Sequence, residues 1–220
     1  MRKIYYTLTA LTLSLTSCND LLDRMPDNRL VIDSPEKVQQ ALTNAYPQIA
    51  TTLINEFSSD NIDDIGADNI YSNFLTRETA YWQPILEYNN VDGLQNIWDY
   101  HYKAIGQANA ALDAIETTLH NDASLNPAKG EALVARAYAH FCLVNLFSQA
   151  YNPNTSSSDL GIPYITRPEE EMNPQRQRGT VAQVYQQIAA DLEKGLPLID
   201  DSYYQMPKYH FNKKAAYAFA

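Results

Sequence analysis

Carboxylates stand close together in the first half of the chain, where they could bind calcium or catalyse hydrolysis. They are Asp60, Asp63, Asp64 and Asp68. A calcium loop of the EF-hand kind is excluded, because Ile65 and Tyr71 occupy the positions of its glycine and its bidentate glutamate. A glycosidase needs two carboxyl groups roughly 5–10 Å apart, one with a raised pKa. Spacing along a loop does not establish that pair, and helix capping with solvation is the simpler explanation of these acids.

Other chemistry finds little support in the sequence. The four histidines, His101, His120, His140 and His210, show no metal-ligand spacing, and no glycine-rich phosphate loop or nucleophile elbow is present. We therefore predict no catalytic residue, no metal and no cofactor. The formal net charge of −10 and the lack of a basic patch argue against nucleic acid as a partner.

One cysteine lies where covalent lipid attachment takes place. Arg2 and Lys3 precede an apolar stretch over 4–15, and Leu15-Thr16-Ser17-Cys18 is similar to a lipobox, in which the cysteine thiol is acylated. The apolar stretch is shorter than the roughly 20 residues that span a bilayer. We predict a lipoprotein signal peptide over 1–17 and a lipid anchor, such as palmitate, at Cys18. A simple signal peptide or an uncleaved anchor is the alternative.

The elements that follow are predicted to be helical. Residues 18–33 are polar and predict a lipidated tether, after which 34–220 predict one all-α domain. Ser34-Pro35-Glu36 has the composition of a helix start, so we expect a first helix over about 35–53, with Pro47 as a point for a kink. Residues 55–90 show no clean period and predict a long irregular region rich in aspartate, asparagine and aromatic residues.

Two long amphipathic helices are predicted next. Apolar residues recur at helical spacing from Leu94 to Leu119 and again over 132–147, with breaks at Asn121-Asp122 and Asn126-Pro127 between them. Such a pair makes an antiparallel hairpin. Residues 149–179 predict a second long loop.

The last third of the domain predicts two more helices. Thr180 and Gln183 form a capping box that opens a helix ending near Gly195. A final helix begins near Asn212, and the sequence stops inside it, which predicts a domain truncated at its C-terminus. Hairpins in tandem favour a solenoid similar to tetratricopeptide repeats (TPR), although the full TPR signature is absent.

Several short motifs, in order, resemble the SusD/RagB family over about 18–220. They are Cys18-Asn19-Asp20-Leu21-Leu22-Asp23, Asn44-Ala45-Tyr46, Trp98 through Ile105 to Ala108-Asn109, Gly130-Glu131-Ala132 with Arg136-Ala137-Tyr138 and Leu143-Val144, Asp159-Leu160-Gly161-Ile162-Pro163, and Tyr185 through Ile188 to Asp191-Leu192. No one motif is decisive, but the six in order are specific together.

The resemblance implies a surface lipoprotein of Bacteroidetes built on TPR-like helix pairs. Such a protein would sit on the outer membrane by its lipid anchor. It would bind glycan, or oligopeptide in RagB-like members, and deliver it to a SusC-like TonB-dependent transporter without catalysing a reaction. Family members are roughly twice this length, so the chain is expected to be an N-terminal half. An anchored glycoside hydrolase and a helical protein-binding adaptor remain the alternatives.

The resemblance also implies where ligand would bind, because an early loop of SusD-like proteins supplies aromatic rings that stack on sugars. Sugar recognition needs flat aromatic faces together with polar groups in fixed directions. The irregular region over 55–90 offers both, although no motif carries over residue by residue. The predicted ligand-binding residues are Asp68, Tyr71, Asn73, Tyr81 and Trp82. Alternatively, Tyr81 and Trp82 fill a gap between the loop and the first hairpin.

Overall fold

The computed structural model describes residues 31–64, 66, 74–86, 90–169 and 176–220. The predicted all-α class is confirmed, since these residues form α-helices, short 3₁₀ turns and loops, with one isolated β-bridge between Leu160 and Thr180. The α-helices are α1 (Pro35–Thr43), α2 (Thr52–Phe57), α3 (Phe74–Ala80), α4 (Leu94–Thr117), α5 (Asn126–Phe147), α6 (Val181–Gly195) and α7 (Lys213–Phe219). They belong to one compact unit, Ile32–Ala220.

The start of the domain differs from the single helix expected over 35–53. The side chain of Ser34 caps α1 by accepting from the Lys37 amide, and Pro35 follows at the first helical position. The helix ends at Thr43, and α2 begins only at Thr52. Pro47 therefore lies in a true break between two helices, because proline lacks the amide hydrogen that a continuous helix would need there.

Helices α4 and α5 form the predicted antiparallel hairpin. The α4 stripe is buried through Ile97, Ala104, Ile105, Ala108 and Ile115. Helix α5 begins six residues earlier than expected, because Pro127 lies in its first turn, where it lacks only an amide hydrogen that the helix would not use. Among the described residues, no helix combines the length and the apolar character needed to cross a bilayer.

Helix α6 starts and packs as its sequence predicts. Thr180 and Gln183 make both hydrogen bonds of the capping box, and Val184 and Ile188 are buried against α5. The two helices approach closely at a pair of glycines. A Cβ on Gly130 would lie 2.8 Å from the carbonyl oxygen of Gly195, and a Cβ on Gly195 would lie 2.9 Å from that of Gly130. Both positions need glycine for space.

Buried charges join α4, α5 and α6. The Arg136 guanidinium binds both carboxylate oxygens of Asp191 at 2.7 Å and donates to the Asn109 side chain at 2.8 Å. The Tyr164 hydroxyl also donates to Asp191, at 2.7 Å. Each charged group is paired and hydrogen-bonded, as a buried charge requires. Arg136 therefore has an internal structural role.

A second buried cluster connects His210 and Phe211 with Glu131 of α5 and with Tyr46. Glu131 on α5 is fully buried, and one of its carboxylate oxygens accepts from the Tyr46 hydroxyl and lies 2.8 Å from His210 Nδ1. The Tyr46 hydroxyl in turn accepts from the Phe211 amide at 2.7 Å. Glu131 is thus a structural residue that joins three separate segments.

Candidate functional site

A candidate site that includes the predicted ligand residue Tyr81 is a pocket beside α2 and α3, at the end of the hairpin where α4 begins. It holds about 480 Å³. Ile54 of α2, Leu75 of α3 and Ile97 of α4 form a small buried cluster, with Leu146 and Phe147 of α5 packed against it. The short helices that line the pocket are therefore fixed to the rigid hairpin.

Helix α3 lies inside the region that we predicted to be irregular, so that expectation is wrong for Phe74–Ala80. The helix is only seven residues long, and its threonines and charged residues give no clean apolar period. Its stability comes from packing, since Leu75, Thr76 and Thr79 are buried. This helix decides which way the next residues, Tyr81 and Trp82, project.

The Tyr81 side chain is held at the pocket by a carboxylate. Its hydroxyl donates to Asp64, which also accepts from the Gly66 amide at 2.7 Å. These hydrogen bonds, that from Tyr81 first, lower the pKa of Asp64, and the same carboxylate raises the pKa of Tyr81. The pair fixes the direction of a tyrosine ring that remains 56% exposed to solvent.

Trp82 has an unusual backbone and an unusual degree of exposure. Its φ is +54°, in the left-handed region that favours glycine, and its side chain is 81% exposed. The Trp82 amide donates to Thr79 O at 3.1 Å and the Gln83 amide to Glu78 O at 2.8 Å, which together form a Schellman motif. Helices that end in this way usually place glycine at the position of Trp82. A large exposed indole in a strained position points to a functional role.

The rest of the pocket supplies polar and apolar groups together. Phe57 and Ile62 contribute apolar surface, while Asp63 and Arg77 contribute charges of opposite sign. Arg77 also lies over the ring of Phe74, at 5.1 Å from its centroid. A concave site with a flat ring, carboxylates and a guanidinium has the groups that bind a polyhydroxylated ligand in a fixed orientation.

The structure places the predicted site residues unequally. Tyr81 lines the pocket, whereas the adjacent Trp82 lies outside its lining. Asp68, Tyr71, Asn73 and the lipidation residue Cys18 lie outside the described residues. The idea that Tyr81 and Trp82 plug an internal gap is wrong, because both side chains are largely exposed.

Sequence reasoning missed Arg77 and Phe57 as pocket residues. Arg77 stands four residues before Tyr81, so both could have been placed on one helical face had α3 been recognised. The hydrolase alternative gains no support from Asp64, because a general acid needs a raised pKa and that of Asp64 is lowered. Within the described residues, no group of three or more His, Cys, Asp or Glu side chains is arranged to hold a metal ion.

Comparison with known families identifies the family to which this helical chain belongs. A SusD-like family, described as "Starch-binding associating with outer membrane", matches residues 20–220. Because the match covers nearly the whole chain, this protein belongs to the SusD-like family. No curated protein matches the chain.

Solved structures of the superfamily share the fold. A SusD superfamily protein from Bacteroides fragilis is 22% identical with a TM-score of 0.67, over 85% of this chain and 44% of that protein. A putative sugar binding protein from Bacteroides vulgatus is 20% identical with a TM-score of 0.65, over 87% and 42% of the two chains. A SusD superfamily protein from Bacteroides thetaiotaomicron is 22% identical with a TM-score of 0.59, over 84% and 40%. The chain thus spans less than half the length of these relatives.

Proposed function

We propose that this chain is part of a lipid-anchored surface protein that captures glycan and passes it to a SusC-like TonB-dependent transporter. The observation that carries the proposal is the pocket at Tyr81, with the exposed Trp82 beside it. The family description supports the glycan class and the outer membrane, and the lipobox at Cys18 supports the anchor. Oligopeptide is the second ligand class that the family resemblance allows.

The geometry favours binding over catalysis at this pocket. Stacking needs an aromatic face that is fixed before ligand arrives, since a side chain ordered only on binding costs affinity. The hydrogen bond from Tyr81 to Asp64 fixes that ring, and the same bond keeps Asp64 ionised. An ionised carboxylate accepts from sugar hydroxyl groups but donates no proton to a glycosidic oxygen.

Calorimetric titration of the full-length natural protein from Asn19 onward tests the proposal. The titrants are maltoheptaose, cellohexaose and a mixed heptapeptide, and products are analysed by chromatography afterwards. We expect one glycan to bind unchanged, with Tyr81→Ala lowering its affinity at least tenfold, equivalent to about 1.4 kcal/mol.

A matched variant controls for the loss of an exposed ring. Tyr209 is 66% exposed and lies far along the chain, so Tyr209→Ala should leave the affinity unchanged. Detection of a cleaved glycan would instead support the hydrolase alternative. If only the heptapeptide binds, the ligand class is peptide and not glycan. If none of the three titrants binds, the protein-binding adaptor is favoured.

A further inference from the structure

Another exposed aromatic residue, Tyr151, lies in a recess after the end of α5. The recess holds about 570 Å³ and is lined by Gln149, Ala150, Tyr151, Asn152, Thr155 and Asp159, which we call the Tyr151 ledge. Tyr151 is 51% exposed. None of these residues contributes to the pocket at Tyr81.

The ring of Tyr151 packs against other aromatic rings of the domain. Tyr151 packs edge-to-face on Tyr185 of α6, with 5.2 Å between ring centroids, and Tyr185 packs on Phe141 of α5 at 6.3 Å. The Tyr185 ring is thus held between two long helices. An exposed ring that rests on such a support loses little freedom when a ligand stacks on it.

The loop that carries the polar groups is also fixed in advance. The Asn152 amide donates to the hydroxyl of the buried Ser156 at 2.7 Å, and the Ser156 amide returns a bond to Asn152 O at 2.9 Å. The start of α6 holds the same loop, since the Ala182 amide donates to Ser156 O and the Val181 amide to Asp159 O, both at 2.9 Å. A polar loop of this kind needs no folding on binding.

Several polar groups of the ledge have no protein partner among the described residues. They are the side-chain amide of Gln149, the hydroxyls of Tyr151 and Thr155, and the carboxylate of Asp159. Asn152 uses its side-chain oxygen on the Asn154 amide at 2.9 Å, which leaves its NH₂ group to donate. The ledge therefore offers a half-exposed aromatic ring surrounded by hydrogen-bond donors and acceptors.

The charge of the ledge narrows the class of ligand. Its lining contains the carboxylate of Asp159 and no cationic side chain, and the nearby Arg178 guanidinium donates to the carbonyl oxygens of Gly161 and Leu160. An anionic ligand would therefore meet the Asp159 carboxylate with no cation in the lining to offset it. Neutral sugars have apolar ring faces for Tyr151 and hydroxyl groups for the surrounding polar atoms.

We infer that the Tyr151 ledge is a second binding site, specific for neutral sugar units and separate from the pocket at Tyr81. It lies at the same end of the hairpin as that pocket, because α5 ends where α4 begins and Trp98 of α4 packs on Phe147 of α5 at 5.0 Å. The inference extends the proposed function, although the ledge is testable when the pocket is disabled.

The test uses the full-length protein in which Tyr81→Ala disables the pocket. Maltotriose and cellotriose serve as neutral probes too short to need both sites, and trigalacturonate serves as their anionic counterpart, with affinity measured by saturation-transfer NMR and calorimetry. In this background we expect residual binding of a neutral trisaccharide. Tyr151→Ala should weaken it at least tenfold, Tyr151→Phe by less than threefold, and Tyr209→Ala not at all.

Three results would overturn the inference. These are the absence of residual trisaccharide binding in the Tyr81→Ala background, residual binding that Tyr151→Ala leaves unchanged, and trigalacturonate binding as tightly as the neutral probes. Thermal unfolding of each variant shows that the fold is retained. Failure of the proposed function is a different result, in which Tyr81→Ala alone leaves heptasaccharide affinity unchanged while Tyr151→Ala still reduces it.

Discussion

Trp82 occupies a backbone conformation whose cost should be measurable. The left-handed region costs residues other than glycine roughly 1–2 kcal/mol, and Trp82 recovers little of that by packing because its side chain is 81% exposed. We predict that Trp82→Gly raises the free energy of unfolding by about 1 kcal/mol and lowers glycan affinity. Urea unfolding and calorimetric titration measure the two effects.

A companion substitution separates backbone strain from loss of the ring. Trp82→Ala removes the same indole but keeps a Cβ at a φ of +54°, so it should lose affinity without gaining stability. If glycine and alanine gave the same free energy of unfolding, backbone strain would not be the cause. A glycine variant that bound glycan normally would remove Trp82 from the binding surface.

His140 should make the stability of the domain depend on pH. Its Nδ1 donates to Arg136 O at 2.8 Å and its Nε2 accepts from the Ile165 amide at 3.1 Å, so the ring is buried in its neutral form. Burial lowers its pKa from 6.5 to about 3. Because the unfolded chain binds the proton more readily, this stabilisation is present above pH 6.5 and is lost as pH falls toward 3.

The predicted size of this effect is about 1.6 kcal/mol between pH 6.5 and pH 5, because the slope approaches about 1.36 kcal/mol per pH unit only once the unfolded histidine is fully protonated. His140→Gln should therefore lose about 1.6 kcal/mol less stability than the natural chain over that range, as measured by urea unfolding at each pH. His120 is exposed and has a left-handed backbone, so His120→Asn is a matched control that should leave the pH dependence unchanged. Parallel pH profiles for the natural chain and His140→Gln would contradict the prediction.

The packing of α5 on α6 depends on the ion pair between Arg136 and Asp191. Both side chains are almost completely buried, at 8% and 7% exposure. Asp191→Asn would leave the guanidinium buried without its counter-charge, and removing one partner of such a pair typically costs about 3–5 kcal/mol. We expect a loss of that size in the free energy of unfolding, measured with urea.

An exposed ion pair in the same domain provides the comparison. Lys37 and Asp33 also lie 2.7 Å apart, but at the start of α1 and in contact with solvent. Asp33→Asn should cost far less than Asp191→Asn, because exposed ion pairs contribute little. If Asp191→Asn and Asp33→Asn lowered the free energy of unfolding equally, burial would not explain how much the pair of Arg136 and Asp191 contributes to stability.

The long elements of this fold could be predicted from sequence, and the short ones could not. Helix α4 is predicted by its apolar stripe and helix α6 by the capping box at Thr180. Both are local sequence signals. Helix α3 has no such signal, since it is stabilised by contacts of Leu75 with α2 and α4. The sequence predicts only a kink at Pro47, where the structure has a break between α1 and α2.

The candidate site was predictable in composition but not in arrangement. The sequence favours Tyr81 and Trp82 as ligand-binding residues because they are large aromatic residues in a long polar segment, and binding residues lie disproportionately on loops. The hydrogen bond from Tyr81 to Asp64 spans 17 residues, and the left-handed backbone of Trp82 results from the way α3 ends. Neither follows from a period or a motif, because each depends on contacts between segments that are separate in sequence.

At the scale of the whole molecule, the anchor and the binding surfaces should be separable. Acyl chains hold a protein on a membrane through about 0.8 kcal/mol for each buried methylene group, so two or three chains anchor it stably. Cys18→Ser would remove the acceptor thiol while changing none of the residues that line the pocket or the Tyr151 ledge. We predict that this variant loses palmitate labelling and leaves the membrane fraction, yet binds glycan with unchanged affinity after purification.

Ser17→Ala is the matched control, because it alters the neighbouring residue and keeps both a small side chain and the Cys18 thiol. It should remain labelled and membrane-bound. If Cys18→Ser stays on the membrane without palmitate label, the anchor is an uncleaved apolar segment over 4–15 and not a lipid. The mass of the mature protein would then include that segment. A Cys18→Ser protein that reaches the soluble fraction but supports normal glycan uptake would show that import does not depend on anchoring, and would separate capture from membrane attachment.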